Sequence, residues 1–473
     1  MKSRVIAILL ISIIIFYAPF ANAGNLTLTA NYLQKNVAAS GYSGMLDWAI
    51  LALSAADKDT LALINRRENQ VREKVLFEPR KSTDYHRTII GAVSARKNPR
   101  NFAGYNLIED VKKSQLSNGK FADSIDGTGD FLVNAHVWGI ISLYMAGETI
   151  AKKDEALGWL VAKQNVDGGF SIDTRIKSSD IDITAMALMA FSALGKGEDY
   201  FAVQKALQYI KEQQGGKGDF ISWGGSSSET LAQVIQALVM LGIDPAGPQW
   251  TEIDGNLITA LLAYKKNDGS FSHSIGGQSN IMSTYQSLLA LADYYEGESI
   301  FKRLRRENMY FTDLPDKHFA ANSIKLLAAE GVINGYPDGS FRPADTVKRQ
   351  EFAKMIVLAL NANGQFESKT RIFIDVPFSH WANPYIKVAA DKGLIKGKSN
   401  QLFAPADSIT GAEVMAILIR ALGNETSVQV SLGEPWYVGY VKEAERAGLL
   451  YPGFDATKIA TRAQCAYSLA LIR

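Results

Sequence analysis

The chain has 473 residues, of which 47% are hydrophobic and 21% charged, as in an ordinary soluble globular protein. This length exceeds one ordinary core and predicts two or three domains. A formal net charge of +2 gives no electrostatic basis for binding nucleic acid. The single cysteine, Cys465, excludes an intrachain disulfide and a cysteine-based zinc site. It lies in an apolar helical pattern, where we expect it to be buried.

The first 23 residues predict a secretory signal peptide. Lys2 and Arg4 form a positive start, and the apolar run 5–16 is too short to span a bilayer comfortably. Ala21-Asn22-Ala23 fits a small-x-small cleavage pattern, so the mature protein is expected to begin near Gly24. No later stretch is long and apolar enough to predict a membrane span.

Residues 24–300 contain a repeat of about 50 residues. Each period has an amphipathic helix, a Gln-Gly-Phe frame, a polar loop and a helix that is apolar nearly all round. A fixed period of this size predicts one supersecondary unit stacked repeatedly. Helices without a polar face need cover on every side, so they are predicted to form a ring inside the amphipathic helices. The frame phenylalanines are Phe121, Phe170, Phe220 and Phe271.

The sequence therefore predicts a mainly all-α fold whose first part is an α6/α6 toroid. The glycines of the frame are expected to permit a positive φ. The frame glutamines Gln115, Gln164 and Gln214 are expected to bond backbone groups left unpaired at helix ends. The predicted inner helices lie near residues 46–53, 83–93, 133–145, 184–194, 230–241 and 283–291.

Polar residues at the starts of the inner helices are candidates for a site at the toroid cavity. Asp180 and Asp182 also suit helix capping, because an acidic side chain before an apolar helix accepts unpaired N–H bonds and complements the helix dipole. No pair of carboxylates is strong enough to assign as catalytic, so no catalytic or metal-binding residue is assigned. The candidate cavity residues are Asn134, His136, Asp180, Asp182, Glu229 and Asn280.

The segments QNVDGGF, QLSNGKF and QQGGKGDF resemble the QW-type repeats of the terpenoid cyclase and protein prenyltransferase superfamily. The resemblance implies the toroid fold and leaves function open. The absence of a suitable cysteine argues against the zinc site of protein prenyltransferases and against the thioester of other relatives. In the acidic motif of squalene–hopene cyclases, Asp182 matches the proton donor, whereas Ile183 replaces the last aspartate.

The segments SSDIDITAMALMAFSAL and SSSETLAQVIQALVMLGIDP are similar to inner helices of the transcobalamin and intrinsic factor helical domain. That resemblance makes a corrinoid a candidate small-molecule ligand, although no small β-rich domain follows. No other cofactor is implied. A polysaccharide lyase or glycosidase remains an alternative for an α6/α6 fold, and it would need an acid pair or a Tyr/His base.

A basic linker is predicted at 301–309, including the arginines of 303–306. A second repeat then occupies 310–364, 370–424 and 430–473, and each copy reads as helix, glycine-rich loop, helix. Thr410 and Thr461, each followed three residues later by Glu413 or Gln464, predict capping boxes at the second helices of two copies.

These copies resemble the S-layer homology domain, in the order Phe-x-Asp, His-Trp-Ala, Gly-Tyr-x-Asp-Gly-x-Phe-x-Pro and a Thr-Arg-Ala-Glu-like element. The resemblance implies a pseudo-trimeric prism whose grooves bind cell-wall polysaccharide, often pyruvylated. Gly411 replaces the motif arginine in the second copy, and Phe319 replaces the aromatic residue in the first. The residues that match the glycan-binding positions are Arg349, Arg462, Trp381, Trp436, Asp313 and Asp375.

Three functions remain open from the sequence. The first is an extracellular, S-layer-associated protein that is anchored to wall glycan and presents a toroid for a small molecule or partner. The second is a surface-tethered enzyme acting on polysaccharide or isoprenoid. The third is a structural layer component whose toroid only contacts its neighbours.

Overall fold

The computed structural model describes residues 19–37, 43–73, 80–221, 225–309, 311–336, 339–360, 373–399 and 401–473. The chain divides into two compact units, Met1–Asn308 and Met309–Arg473. Residues 1–18 of the predicted signal peptide lie outside the described residues, and its last residues fall in helix α1 (Pro19–Val37). Within the described ranges, no helix is both long and apolar enough to cross a membrane.

The first unit is an α/α toroid with a closed inner ring. Each inner helix packs against the next along the chain, and the last packs against the first. Their faces are apolar and form one continuous core, as expected for helices that are covered on all sides. The predicted toroid is thereby confirmed. The inner helices are α2 (Ser43–Ala55), α4 (Ser82–Ser94), α6 (Val133–Met145), α8 (Ile181–Ala193), α10 (Ser228–Leu241) and α12 (Ile281–Glu296).

The outer layer consists of shorter helices that alternate with the inner ones along the chain. Two antiparallel pairs of two-residue strands, β1 (Thr251–Glu252) with β2 (Gly255–Asn256) and β3 (Phe271–Ser272) with β4 (Ser279–Asn280), lie in its connections. The outer helices are α1, α3 (Leu61–Arg72), α5 (Leu107–Lys113), α7 (Lys153–Ala162), α9 (Phe201–Glu212) and α11 (Leu257–Leu262).

The Gln-Gly-Phe frame ties each outer helix to the next. Gln164 Nε2 donates to the carbonyl oxygens of Gly168 and Ala202, at 2.8 Å each. Gly168 has a φ of +90°, and a Cβ there would lie 2.4 Å from the Lys205 carbonyl oxygen, so glycine is required on both counts. The frame glutamines of two other repeats make the corresponding bonds, Gln115 to Lys152 and Gln214 to Trp250.

The predicted linker is instead part of helix α13 (Ile300–Asn308), so that prediction is wrong. The helix packs against α4 and α6. Its apolar residues recur at helical spacing, which lets one side of a basic segment join the toroid core. The buried residues of α13 are Ile300, Phe301 and Leu304.

The arginines of α13 bond the carboxyl ends of inner helices. Arg303 Nη2 donates to the Ser54 carbonyl oxygen at 2.9 Å, close to the end of α2. Arg305 Nη1 donates to the carbonyl oxygens of Tyr144 and Glu148, at 3.2 and 2.7 Å, at and beyond the end of α6. Cations suit this place because helix carboxyl ends carry unpaired carbonyl groups and partial negative charge.

The second unit contains three pairs of helices in a cyclic arrangement. The second helix of each pair packs against the first helix of the next pair: α15 on α16, α17 on α18, and α19 back on α14. The helices are α14 (Ala321–Ala329), α15 (Arg349–Ala359), α16 (Asn383–Asp391), α17 (Gly411–Ala421), α18 (Val438–Arg446) and α19 (Arg462–Ala470).

Three backbone hydrogen bonds form a closed triangle just before the second helices. The Val347 N–H donates to the Ala460 carbonyl at 3.2 Å, Ala460 to Ile409 at 2.9 Å, and Ile409 to Val347 at 2.9 Å. The capping boxes predicted at Thr410 and Thr461 are present at the helix starts that follow. The three copies are therefore related by a pseudo-threefold arrangement.

Candidate functional sites: three grooves and a toroid mouth

We call the place where the second helix of one copy meets the glycine-rich loop of the next copy a groove, and the C-terminal unit has three such places. Arg349, at the start of α15, enters the loop of the second copy. Its Nε donates to the Phe403 carbonyl at 3.0 Å, its Nη2 to the Lys396 carbonyl at 2.8 Å, and its Nη1 to Glu413 Oε1 at 2.7 Å. The side chain is only 3% exposed. Arg349 therefore joins two copies and offers little surface to an incoming anion.

Arg462 occupies the equivalent place at the start of α19 and is more open. Its Nε and Nη2 donate to the carbonyl oxygens of Phe341 and Asn334, at 2.9 and 2.8 Å, in the loop of the first copy. The side chain remains partly exposed. Its guanidinium lies 5.2 Å from the Tyr336 ring centre, and that of Arg342 lies 3.9 Å from the same ring. This groove presents two guanidinium groups and an aromatic ring together.

The third groove has glycine where the other two have arginine. A Cβ at Gly411 would lie 2.5 Å from the Asp455 carbonyl oxygen and 2.7 Å from Tyr451 Oη. The loop of the third copy thus occupies the space into which the side chain of an arginine at position 411 would extend. The three grooves are chemically unequal even though their backbones are related.

Two predicted glycan-binding residues are engaged in building the loops. The Asp313 carboxylate accepts hydrogen bonds from the N–H groups of Phe341 and Arg342, both at 2.7 Å. Asp375 accepts the corresponding two bonds in the second copy, at 2.9 and 2.7 Å. Both carboxylates therefore hold a turn in each copy, and any contact with glycan would be additional to that role.

The predicted aromatic residues of the C-terminal unit have exposed side chains. Trp381 and Trp436 are each 51% exposed, and Phe319, in the equivalent place of the first copy, is 43% exposed. Trp381 lies beside His380, with the ring centres 6.0 Å apart, and His380 Nδ1 accepts a hydrogen bond from the Ala382 N–H. A supported, exposed ring is suited to stacking on a flat apolar ligand face.

The inner helices of the toroid are parallel, so all their amino ends lie at one mouth. Ser283 lies at the start of α12 and Glu229 at the start of α10, and Ser283 Oγ donates a hydrogen bond to Glu229 Oε1 at 2.5 Å. The ring interior is filled near the middle of the inner helices, and α13 contacts the carboxyl ends of α2 and α6. Trp48 and Trp138 meet with ring centres 4.8 Å apart, and Phe301 of α13 lies 6.5 Å from Trp138. The amino-end mouth is therefore the side from which a ligand would approach.

Glu229 is the centre of a hydrogen-bonded cluster at this mouth. It is 8% exposed and accepts bonds from Ser283, from Ser228 Oγ at 3.2 Å, and from His273 Nδ1 at 2.9 Å. His273 is 65% exposed, which leaves the far edge of its ring toward solvent. Sequence reasoning missed His273 and Ser283. The signal for His273 was its place two residues after the frame residue Phe271.

Asp182 lies beside this cluster, on the neighbouring helix α8. Burial raises the pKa of its carboxyl to about 6, and the charges of Asp180 and Glu229 act in the same direction, against a hydrogen bond from Thr230. Its Oδ1 is buried and has no hydrogen-bond partner among the described residues. The same holds for Oδ1 of Asn134 on α6. Two predicted cavity residues thus carry unpaired acceptors at the mouth.

The other three predicted cavity residues have structural roles. His136 is fully buried, and its ring nitrogens bond the Phe121 N–H and the Ala156 carbonyl at 3.1 and 3.0 Å, so it faces the outer layer and the prediction is wrong. It is two residues beyond Asn134, which turns it to the far side of the helix. Asp180 and Asn280 are N-caps that accept bonds from the backbone of α8 and α12.

Comparison with known families matches both units. The S-layer homology domain model matches residues 310–353 and 373–415. The model for the prenyltransferase alpha-alpha toroid domain matches residues 120–254 and 231–315. The helix pair α18 and α19 lies outside the matched residues, although the triangle of backbone bonds includes its copy.

The curated relatives are similar over part of this chain. A cellulosome-anchoring protein of Acetivibrio thermocellus is 36% identical over 120 residues, which are 25% of this chain and 27% of that protein. A surface layer protein of Brevibacillus choshinensis is 33% identical over 109 residues, 23% of this chain and 10% of that protein. S-layer protein EA1 of Bacillus anthracis is 29% identical over 126 residues, which are 26% of this chain and 14% of that protein. This chain thus spans about a quarter or less of these relatives.

Solved structures resemble the toroid at low identity. Candida albicans protein geranylgeranyltransferase-I has a TM-score of 0.44 and 10% identity, with 60% of this chain and 99% of that chain covered. The type II terpene cyclase MstE from Scytonema has a TM-score of 0.45 and 12% identity, with 58% and 99% covered. On the family models and the fold, the chain carries a prenyltransferase-like α/α toroid domain together with S-layer homology domains, two of which match the family model.

Proposed function

We propose that this chain is an extracellular protein held on cell-wall polysaccharide by its C-terminal unit, with the toroid binding a small molecule or partner at its mouth. The anchoring part is supported by the S-layer homology match and by similarity to a cellulosome-anchoring protein and to surface-layer proteins. The toroid part is supported by the unpaired acceptors of Asn134 and Asp182.

The Arg462 groove is the observation that carries the anchoring proposal. It combines a partly exposed guanidinium with Arg342 and the Tyr336 ring. Guanidinium groups bind carboxylates through paired, charge-assisted hydrogen bonds, which suits an acidic or pyruvylated polysaccharide. The exposed rings of Trp381 and Trp436 would stack on sugar faces in the other grooves.

Co-sedimentation of the full chain with purified cell walls tests this proposal. The chain is expected to sediment with intact walls and to stay in solution when the wall polysaccharide has been removed. Arg462→Ala should weaken binding about tenfold, because a hydrogen bond to a charged group contributes about 1.5–3 kcal/mol. Arg462→Lys keeps the charge and loses the planar fork, so it should bind at an intermediate level.

Arg446→Ala is the matched control, since Arg446 is 73% exposed and pairs with Glu443 on α18. It should bind walls as the unaltered chain does. Full wall binding by a folded Arg462→Ala protein would contradict the assignment of this groove. Equal loss in both variants would indicate a non-specific charge effect.

The exposed rings can be tested in the same assay. Trp381→Ala and Trp436→Ala should each weaken wall binding, by about 1 kcal/mol or about fivefold for a lost ring contact. Phe201→Ala is the control, because Phe201 is 73% exposed but belongs to the toroid. If the Phe201 variant lost as much binding as the tryptophan variants, the groove rings would not be the contact surface.

A further inference from the structure

Three inner helices place an acceptor at the same position of their first turn. Asn134, Asp182 and Glu229 are the second residues of α6, α8 and α10, and we call these three residues the acceptor crescent. Equivalent positions on parallel neighbouring helices point in equivalent directions, so the three side chains line one side of the mouth. The crescent is therefore formed by three neighbouring inner helices together and not by the end of a single helix.

The members of the crescent differ in how well they are satisfied. Glu229 already accepts bonds from Ser228, His273 and Ser283. The Oδ1 atoms of Asn134 and Asp182 are buried and have no partner within the described ranges. An unmatched buried acceptor costs about 1–3 kcal/mol, and such groups normally have a donor. Two such acceptors on the neighbouring helices α6 and α8 indicate a site for a ligand that donates.

The charges at the mouth favour a donor that is also a cation. Asp180, Asp182 and Glu229 are acidic, and the nearest ionisable partner of the cluster is His273, bonded to Glu229. Arg175, in the loop before α8, is paired with Asp173. An ammonium group offers three donors and one positive charge, and so satisfies both acceptors and the excess acidity.

The surface one turn deeper is mainly apolar. Trp138 and Met186 follow Asn134 and Asp182 by four residues and so lie on the same faces of α6 and α8. Trp138 is 8% exposed and packs on Trp48 inside the ring, and Met186 is partly buried against the core. A ligand that reaches past the crescent would meet a methionine side chain and an indole ring.

We infer that the acceptor crescent binds a primary ammonium group carried on a short apolar chain. The ammonium donates to Oδ1 of Asn134 and of Asp182, and the chain lies on Met186 and Trp138. This inference rests on the part of the proposed function that gives the toroid a ligand, and it names the class of that ligand.

Ammonium binding should depend on pH in a definite direction. Burial, with the charges of Asp180 and Glu229, raises the pKa of Asp182 to about 6, and the cation binds the ionised carboxylate. Affinity should therefore be lost as the pH falls below about 6, by about tenfold at pH 5.

Calorimetric titration of the full chain with n-butylammonium and with n-butanol tests the inference. The two probes have the same apolar chain, and only the first carries an ammonium. At pH 7.5, n-butylammonium should bind at least about tenfold more tightly than n-butanol, the effect of roughly 1.4 kcal/mol. Equal binding of the two probes, or equal binding of the amine at pH 5 and pH 7.5, would overturn it.

Variants then locate the site. Asp182→Asn should remove the preference for the amine and its pH dependence, while Asp199→Asn, an exposed residue before α9, should change neither. The pH dependence should persist in His273→Gln, since Asp182 is its source. Asn134→Leu gives a second test that leaves every charge in place, and it should weaken the amine. If a folded Asp182→Asn protein bound n-butylammonium as tightly as the unaltered chain does, the inference would be wrong.

The anchoring part of the proposed function has a separate readout. If the chain binds cell walls but neither probe, the ammonium ligand is wrong and the anchoring stands. If the amine binds and walls do not, the crescent stands and the groove assignment fails.

Discussion

The two units both close on themselves, but they use their polar side chains in opposite ways. The toroid closes by packing apolar helices, with α12 against α2, and unpaired polar acceptors of Asn134 and Asp182 lie at its mouth. The C-terminal unit closes through a triangle of backbone bonds and through Arg349, which lies between copies. A residue at a family's binding position therefore indicates ligand binding only when the bonds it already makes within the protein have been taken into account.

The buried ion pairs of the two units differ in how well their carboxylates are stabilised. In the toroid, Arg67 and Asp47 pair at 3.0 Å with both side chains fully buried, and burial raises the pKa of Asp47 in spite of Arg67 and Arg87. In the C-terminal unit, burial would raise the pKa of Glu413, but bonds from Lys398 and Thr410 and the charge of Arg349 lower it. In the Arg349–Glu413 pair the cost of burying the carboxylate is therefore better compensated, which suits a cross-link between copies.

Breaking that cross-link should have the largest effect. Arg349→Ala removes bonds to two carbonyl groups and to Glu413 and should destabilise the C-terminal unit by about 3–5 kcal/mol, the usual cost of removing one partner of a buried pair. Hydrogen exchange in urea, followed in peptides from α17 of the full chain, would measure it. The exposed Arg446→Ala should cost less than about 0.5 kcal/mol. Similar small losses in both variants would mean that Arg349 is not a structural cross-link.

The toroid frame can be tested with two glycines of the same repeat. Gly168→Ala should cost about 2–4 kcal/mol, because it adds a left-handed backbone penalty to a clash with the Lys205 carbonyl oxygen. Gly158→Ala, in the open face of α7, should stabilise by up to about 1 kcal/mol. Chemical unfolding of the full chain, followed by exchange in toroid peptides, would compare them. Opposite signs are expected, and the same sign for both would contradict the role of the frame.

A smaller, pH-dependent effect is expected where α13 joins the ring. Burial raises the pKa of Asp293 to about 8, against bonds from the Ile300 N–H and Ser299. The folded state thus keeps a proton that the unfolded carboxyl releases, so this group's contribution is present below about pH 4 and is lost as the pH rises toward 8. Asp293→Asn should raise the Tm of the toroid at pH 9 and little at pH 5. A gain that did not grow with pH would argue against a protonated Asp293.

The smallest effect is expected at Cys465, which is fully buried in α19. Burial raises the pKa of its thiol well above the usual range, so little nucleophilic thiolate is present. Iodoacetamide should label Cys465 only when the C-terminal unit is unfolded, as mass spectrometry would show. Rapid labelling of the folded chain would mean that the cyclic closure opens readily.

Much of the fold could be predicted because the inner helices have no polar face. The sequence placed six of them near their observed positions, since apolar residues all round a helix leave one arrangement that covers them. Helix α13 was missed because its arginines suggested a solvated linker, whereas they bond carbonyl groups that only the folded ring brings together.

The site residues were less predictable because their partners are distant in sequence. The motif located Arg349, but the Lys396 and Phe403 carbonyl groups that engage it are 47 and 54 residues further along the chain. Asp182 was recognised from its place before an apolar helix. Its unpaired oxygen depends on what the neighbouring helices leave unfilled, and no local pattern records that.

The cyclic order of the C-terminal unit has a mechanical consequence. Because α19 of the third copy packs on α14 of the first, and Arg473 bonds Glu330 at 3.0 Å, no copy is an outer one that can peel away first. A load applied ahead of α14 would reach all three copies at once, so the tether is expected to yield in a single rupture and not copy by copy.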